Sequence, residues 1–389
     1  MRATNHIAPG LIAILLSLDV ACGCKDPYVS PYKNPTTGYL VVEGFISGNS
    51  ITQFSLTRTI PLPGDSTIPT VDGAMVQVEG SDNSVYPLTG QGGGIYTSVD
   101  TLNLNPQLEY RLTIKINGDQ YQSTYVPYKL SPPIDSVNWV LNGDYSVNIF
   151  VNTHDPTNAT RYYQWLYQQT YEYHSAEESY YMYRTDTIPP QVVLRPAADQ
   201  VFRCWQINGS TNVLIDNTTQ LSSDVVYRMP LTAIPPNSVQ ISVLYSILVK
   251  QYALTADGYN FLSQMQTNTE SLGSIFDAQP TQLASNITSL KNPGETVIGW
   301  ISAGSEQSRR IWISRTQVLS NYYDTCPGKD TVLVNKPALL YSAYDNGLYV
   351  PLYFGISPAG VPGWVSNFAS CVDCRLQGGT NVEPNYWPN

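Results

Sequence analysis

The stretch Glu109-Tyr110-Arg111-Leu112-Thr113-Ile114-Lys115-Ile116-Asn117-Gly118, followed by residues 121–126, decides the fold. Apolar and polar side chains alternate with a period of two, which sends them to opposite faces of a strand. Asn-Gly between two such runs supplies the positive torsions of a two-residue hairpin turn. The same pattern extends upstream through residues 39–46, 54–59, 74–79, 85–88 and 94–97, with Gly92-Gly93 as a second turn signal. About seven short strands over residues 38–130 predict an immunoglobulin-like β-sandwich.

Ser131-Pro132-Pro133 marks a boundary. Residues 131–351 read as a second, larger β-rich domain, with strands at 134–141, 146–153, 161–173, 192–194, 201–207, 239–248, 296–302 and 310–313. One helix is expected near 255–270. Thr255 can cap it, and Tyr259, Phe261, Leu262 and Met265 supply its apolar face. Residues 352–389 are rich in Gly and Pro and read as a surface tail held by cysteines. The fold class is therefore all-β.

The chain opens MRATNHIAPGLIAILLSLDVACGCK. One cation, a short apolar run and small residues before a cysteine form a secretory signal over residues 1–23. The run is too short to span a bilayer as a mature helix. The small residues before Cys24 make it the expected lipid acceptor, with Cys22 the alternative. Residues 24–37 carry three prolines and read as a tether. The expected product is held to a membrane by lipid.

Only 13% of the 389 residues are charged, the net charge is −10, and 29 residues are tyrosine. A low, acidic charge without a Lys/Arg cluster excludes nucleic acid as a partner. Beyond the signal and Cys24 remain Cys204, Cys326, Cys371 and Cys374, which predict two disulfides in an exported protein. Three connectivities are possible, and at least one C-terminal cysteine is expected to pair back to Cys326 or Cys204. Cys371-Val372-Asp373-Cys374 could also be a redox motif or half a zinc site. The sequence after it reads as a loop, and no second such motif or His pair exists. No metal or cofactor is expected.

His154 and His174 are the histidines left after the signal, and no nucleophile elbow, phosphate loop or dinucleotide fingerprint occurs. Glu177-Glu178 and Asp324 with Asp330 are conceivable carboxylate pairs, more simply read as charged loops. The strongest local anomaly is RYYQWLYQQTYEYHSAEESYYMY, residues 161–183. Tyr163, Trp165 and Tyr167 share a strand face, as do Tyr171 and Tyr173. Tyr171, Tyr173 and the loop-borne Tyr180, Tyr181 and Tyr183 are the binding candidates, since tyrosine offers area together with a polar tip.

Several segments together resemble a known family. They include Leu40-Val41-Val42-Glu43-Gly44, Leu56-Thr57-Arg58-Thr59, Gly73-Ala74-Met75-Val76 and Ala159-Thr160-Arg161-Tyr162-Tyr163-Gln164-Trp165. Further on come Tyr245-Ser246-Ile247-Leu248-Val249-Lys250-Gln251, Asn268-Thr269-Glu270, residues 273–280 and Val297-Ile298-Gly299-Trp300. Cys371-Val372-Asp373-Cys374-Arg375, Gly378-Gly379 and Pro384-Asn385-Tyr386-Trp387 complete the set. On these segments the chain is similar to Bacteroidota outer-membrane lipoproteins of the domain of unknown function 4249. The resemblance implies a lipid-anchored protein beside a TonB-dependent receptor barrel, with no catalytic residues to carry over. Cys22 before Gly23 departs from the usual signal and leaves the acylated cysteine open. Lys25-Asp26 would suit export to the cell surface, with the periplasmic face as the other location.

The expectation is thus a non-catalytic binding or accessory subunit of a nutrient-import complex. The alternatives are a subunit of an outer-membrane assembly or secretion machine, and a surface glycan-active enzyme. The last requires two carboxylates about 5–10 Å apart in a cleft.

Overall fold

The computed structural model describes residues 38–60, 67–270, 285–318, 320, 322 and 325–388. The signal segment, Cys22, Cys24, the tether, residues 273–280 and Asp324 lie outside them. The class is all-β.

The N-terminal unit holds β1 (Leu40–Ser47), β2 (Gln53–Arg58), β3 (Met75–Gly80), β4 (Val85–Gly92), β5 (Ile95–Thr97), β6 (Glu109–Ile116), β7 (Asp119–Ser123) and β8 (Val126–Lys129). Alternation puts Leu40, Val42 and Ile46 into the core with Phe54, Leu56, Leu112 and Ile114, leaving Val41, Glu43 and Phe45 on the outward face of β1. Asn117 and Gly118 take φ of 48° and 87°, the torsions a tight hairpin between right-twisted strands requires.

The next strands are β9 (Ile134–Leu141), β10 (Val147–Asp155), β11 (Tyr162–His174), β12 (Tyr181–Arg184), β13 (Gln191–Leu194), β14 (Arg203–Gly209), β15 (Leu214–Asn217), β16 (Asp224–Ile234) and β17 (Leu244–Ala253). Helix α1 (Ala256–Glu270) follows, and Thr255 Oγ1 caps it by accepting from Gly258 N at 3.1 Å. Then come β18 (Ile287–Ser289), β19 (Val297–Ile298), β20 (Ala303–Gly304) and β21 (Glu306–Ser314). Residues 239–241 form a 3-10 turn ahead of β17, where one continuous strand was expected. Strand β16 was not anticipated, because Pro230 and two register shifts against β10 break its alternation.

The N-terminal sandwich is not confined to residues 38–130. β18 pairs with β7, β19 runs parallel to β1, and β20 lies between β1 and β8. Ile287, Val297, Ile301 and Ala303 enter the same core as Leu40. Because β8 also pairs with β6, the pairings close into a ring through β6, β3, β4, β5, β2, β1, β20 and β8. Between β19 and β20 the ladder to β1 lapses. There Asn286 replaces it, donating to Ile301 O at 3.0 Å and accepting from Ile301 N at 2.9 Å.

The second domain packs the sheet β16-β10-β9 against β14-β11-β17-β21. Val147, Ile149 and Val151 meet Tyr163, Trp165, Tyr245, Ile247 and Val249 between them. Gln251 is fully buried with its amide satisfied: it accepts from Trp165 Nε1 at 2.9 Å and donates to Pro132 O at 2.7 Å.

The segment read as a surface tail is partly a third small sheet. Helix α2 (Arg315–Val318), β22 (Asp330–Leu333), helix α3 (Pro337–Tyr344), β23 (Tyr349–Ile356), β24 (Pro362–Phe368) and helix α4 (Ala369–Val372) complete the order. The expected boundary at 351/352 therefore cuts through β23, and α1 has company. Pro362 begins its strand and Pro351 sits at a register shift, places where a missing N–H is tolerated. Cys204–Cys374 and Cys326–Cys371 join this region to the second domain and to itself, with sequence separations of 170 and 45.

Beyond Cys374 the chain crosses the outer face of β11. Trp387 Nε1 donates to Glu172 Oε2 at 3.0 Å, and Tyr386 OH meets Thr170 Oγ1 at 2.9 Å. Arg310 stacks on Tyr386 at 4.0 Å. Burial alone would raise the carboxyl pKa of Glu172. His174, Arg203 and Trp387 outweigh that and hold it down at about 2.

Two outcomes test this attachment of the C-terminal segment. The double variant Cys204→Ala/Cys374→Ala should lose about 2–4 kcal/mol of stability; an unchanged urea midpoint would refute the staple. The stabilisation from Glu172 is complete above the ordinary carboxyl pKa of 4.5 and is lost as pH falls toward about 2. Tryptophan fluorescence should report that transition in the parent chain, and Glu172→Gln should flatten it within that window.

Candidate functional site

A cleft of about 790 Å³ separates the outward face of β1 from the outer face of the β11-β17-β21 sheet. Strand parity makes it: Glu43 and Phe45 point out of the sandwich, while Gln164, Leu166, Lys250, Tyr252 and Glu306 point away from the second core. The joint between the walls is specific. Asn49 clamps the Glu306 backbone, donating to its O at 2.9 Å and accepting from its N at 2.7 Å. The Phe45 and Tyr252 rings sit 4.5 Å apart.

Glu306 is the polar centre, its side chain only 11% exposed. Lys250 Nζ lies 3.0 Å from Oε2, and Tyr252 OH donates to the same oxygen at 2.7 Å. Burial, then the neighbouring carboxylate, pushes the Tyr252 hydroxyl pKa up, so it remains a donor. α1 forms another wall with Phe261, Leu262 and Met265. Phe261 lies 5.8 Å from Trp300. Gly258 permits that approach, since a Cβ there would stand 3.1 Å from Trp300 Nε1.

The tyrosine candidates divide. Tyr171 and Tyr173 are 5% and 1% exposed, and Tyr173 OH donates to Cys374 O at 2.8 Å. They are core residues unavailable to a partner, because the odd-numbered face of β11 is the buried one, and at Tyr173 the segment around Cys374 covers it. Tyr181 packs on Trp364 at 4.9 Å and Tyr183 on Tyr344 at 5.3 Å, gluing the β12–β13 hairpin to the third sheet. Tyr180 is 63% exposed. Leu194, Phe354 and Ile356 are exposed apolar residues as well, and Phe354 meets Trp364 at 5.3 Å.

Asp324 lies outside the described residues, and the other carboxylates named from sequence are taken up singly by neighbours. Glu177 pairs with Lys329 at 3.1 Å, Glu178 accepts from Tyr180 and raises its pKa, and Asp330 begins β22. His154 meets Asp135 at 2.7 Å on the surface, which raises the His154 pKa, and His174 meets Glu172. Among the described residues no group of three or more His, Cys, Asp or Glu could hold a metal ion. Glu43 and Glu306, the acids that do share a cleft, were missed. The outward parity of Glu43 was readable, but Glu306 lay ahead of the strand expected at 310–313, and the facing of β1 against β21 left no sequence signal.

A family model described as domain of unknown function (DUF4249) matches residues 25–310, and the chain belongs to that family. A search of curated proteins finds no match. Among solved structures, the FN1–FN3 domains of chicken CNTN1 align at 11% identity with a TM-score of 0.17. That alignment covers 57% of this chain and 63% of that one.

The division of tyrosines is testable by calorimetry. Tyr173→Ala should cost about 3–5 kcal/mol, as large-to-small core changes do, while Tyr180→Ala should leave the melting temperature unchanged. Equal effects would overturn the assignment.

Proposed function

We propose that this member of the DUF4249 family is a lipid-anchored, non-catalytic binding subunit of the outer membrane, working beside a TonB-dependent import barrel. The observation that carries the reading is the cleft between the two β domains. Its volume falls within the range of small-ligand sites, and aromatic walls surround a few fixed polar groups. Support for the anchor comes from the N-terminal sequence, with Cys24 as the acylated residue. The exposed Tyr180 ahead of β12 and the exposed Phe354 and Ile356 on β23 offer apolar area for contact with a protein partner.

The glycan-active alternative has one observation in its favour, since Glu43 and Glu306 line the same cleft. Against it, the Glu306 carboxylate is engaged by Lys250 and Tyr252. The Glu172 carboxylate is likewise taken up by the tail.

The deciding experiment is tagged native purification from detergent-solubilised outer membrane, with mass spectrometry of what accompanies the chain. A stoichiometric TonB-dependent barrel is expected, and Cys24→Ser should move the protein to the soluble fraction. An assembly or secretion barrel would replace this reading with the machine-subunit alternative. Recovery of the lipoprotein alone after crosslinking would refute both.

A further inference from the structure

We propose that the cleft takes a cation, a protonated amine or guanidinium carried on an apolar body. This rests on reading the cleft as a binding site and names the class of ligand. Two carboxylates and one ammonium line it: Glu43, Glu306 and Lys250. The ammonium is already spent, because Lys250 Nζ lies 3.0 Å from Glu306 Oε2. Among the described lining residues the net charge is therefore −1, and Glu43 carries it on the outward face of β1.

The surroundings favour a cation over other ligands. An anion would meet two carboxylates among the described lining residues, with the one lining ammonium already engaged by Glu306. A neutral ligand would leave the Glu43 charge unused. The aromatic residues Phe45, Tyr252, Phe261 and Trp300 line the same space. Ring faces attract ammonium and guanidinium groups electrostatically, more strongly where water is excluded. The apolar remainder of the ligand would lie against Leu262 and Met265, whose unbranched thioether adapts to varied shapes. Within about 790 Å³ there is room for a small amine or for a few residues of a basic-aromatic peptide.

Isothermal titration of the full chain with four probes tests the idea: n-hexylammonium, the capped tripeptide Ac-Phe-Lys-Phe-NH2, hexanoate and maltotriose. The two cations should bind, and hexanoate and maltotriose should not. Glu43→Lys, a change at an exposed strand position, should weaken the cations at least tenfold with an unchanged thermal melt, and Glu43→Asp should restore most of the affinity. Tighter binding of the tripeptide would identify a peptide source, and tighter binding of hexylammonium a small amine. Binding of hexanoate or maltotriose as tight as that of the cations would overturn the proposal. So would indifference to Glu43→Lys, or no binding of either cation at millimolar concentration. If the cations fail while the import barrel still co-purifies, the ligand class falls and the accessory role stands. If they bind and no barrel is found, the reverse holds.

Discussion

The structure depends on one strand needing cover on both faces. From Thr170 to Tyr173 every residue of β11 is buried, which an antiparallel strand with one wet face would not show. Its inner face is filled by the sandwich with β10 and, at Tyr173, by the segment around Cys374. Its outer face is covered at the far end by Tyr386 and Trp387. At the near end it turns toward the N-terminal sandwich, with the cleft between. Glu172 shows what such cover demands. A buried carboxylate without partners is strongly unfavourable, and here His174, Arg203 and Trp387, drawn from three parts of the chain, satisfy it.

The same logic explains the disulfides. Cys204 stands on β14, which borders β11, and Cys374 follows the third sheet. Their bond holds the last segment where its aromatic residues can reach Thr170 and Glu172. Without it, the ordering of residues 375–388 would rest on a few side-chain contacts and the Trp205–Thr380 bridge, against a conformational cost of about 1–2 kcal/mol per ordered residue.

How far the sequence was legible follows from where the information resides. β9 lies at the expected residues and β6 at its full length, because each alternates and ends at a turn signal. The Thr255 cap and the Asn117-Gly118 turn are equally local. The return of residues 285–304 to the first sandwich is not local. Its pairings join segments more than a hundred residues apart, and no periodicity within either segment reports them. The third sheet was hidden by composition, since Pro stands at a strand start and a register shift and Gly355 and Gly363 pair with each other within the strands, which only the pairing reveals. Pro337 at the first turn of α3 was a usable helix signal that was not used.

The site shows the same division more sharply. Parity correctly grouped Tyr171 with Tyr173, yet parity is symmetric and cannot say which face a partner sheet will claim. The tyrosine density drew attention to β11, and most of that density proved to be core and glue, in keeping with the preference of aromatics for strands. The cleft has no comparable local signature. Glu43 is an ordinary outward residue on β1 and Glu306 an ordinary first residue of β21. Asn49 helps bring their strands to one cleft by gripping the Glu306 backbone across the domain joint. A binding site assembled by that joint inherits its rigidity. Any ligand seated there therefore bridges the two domains, and its occupancy can be felt at both.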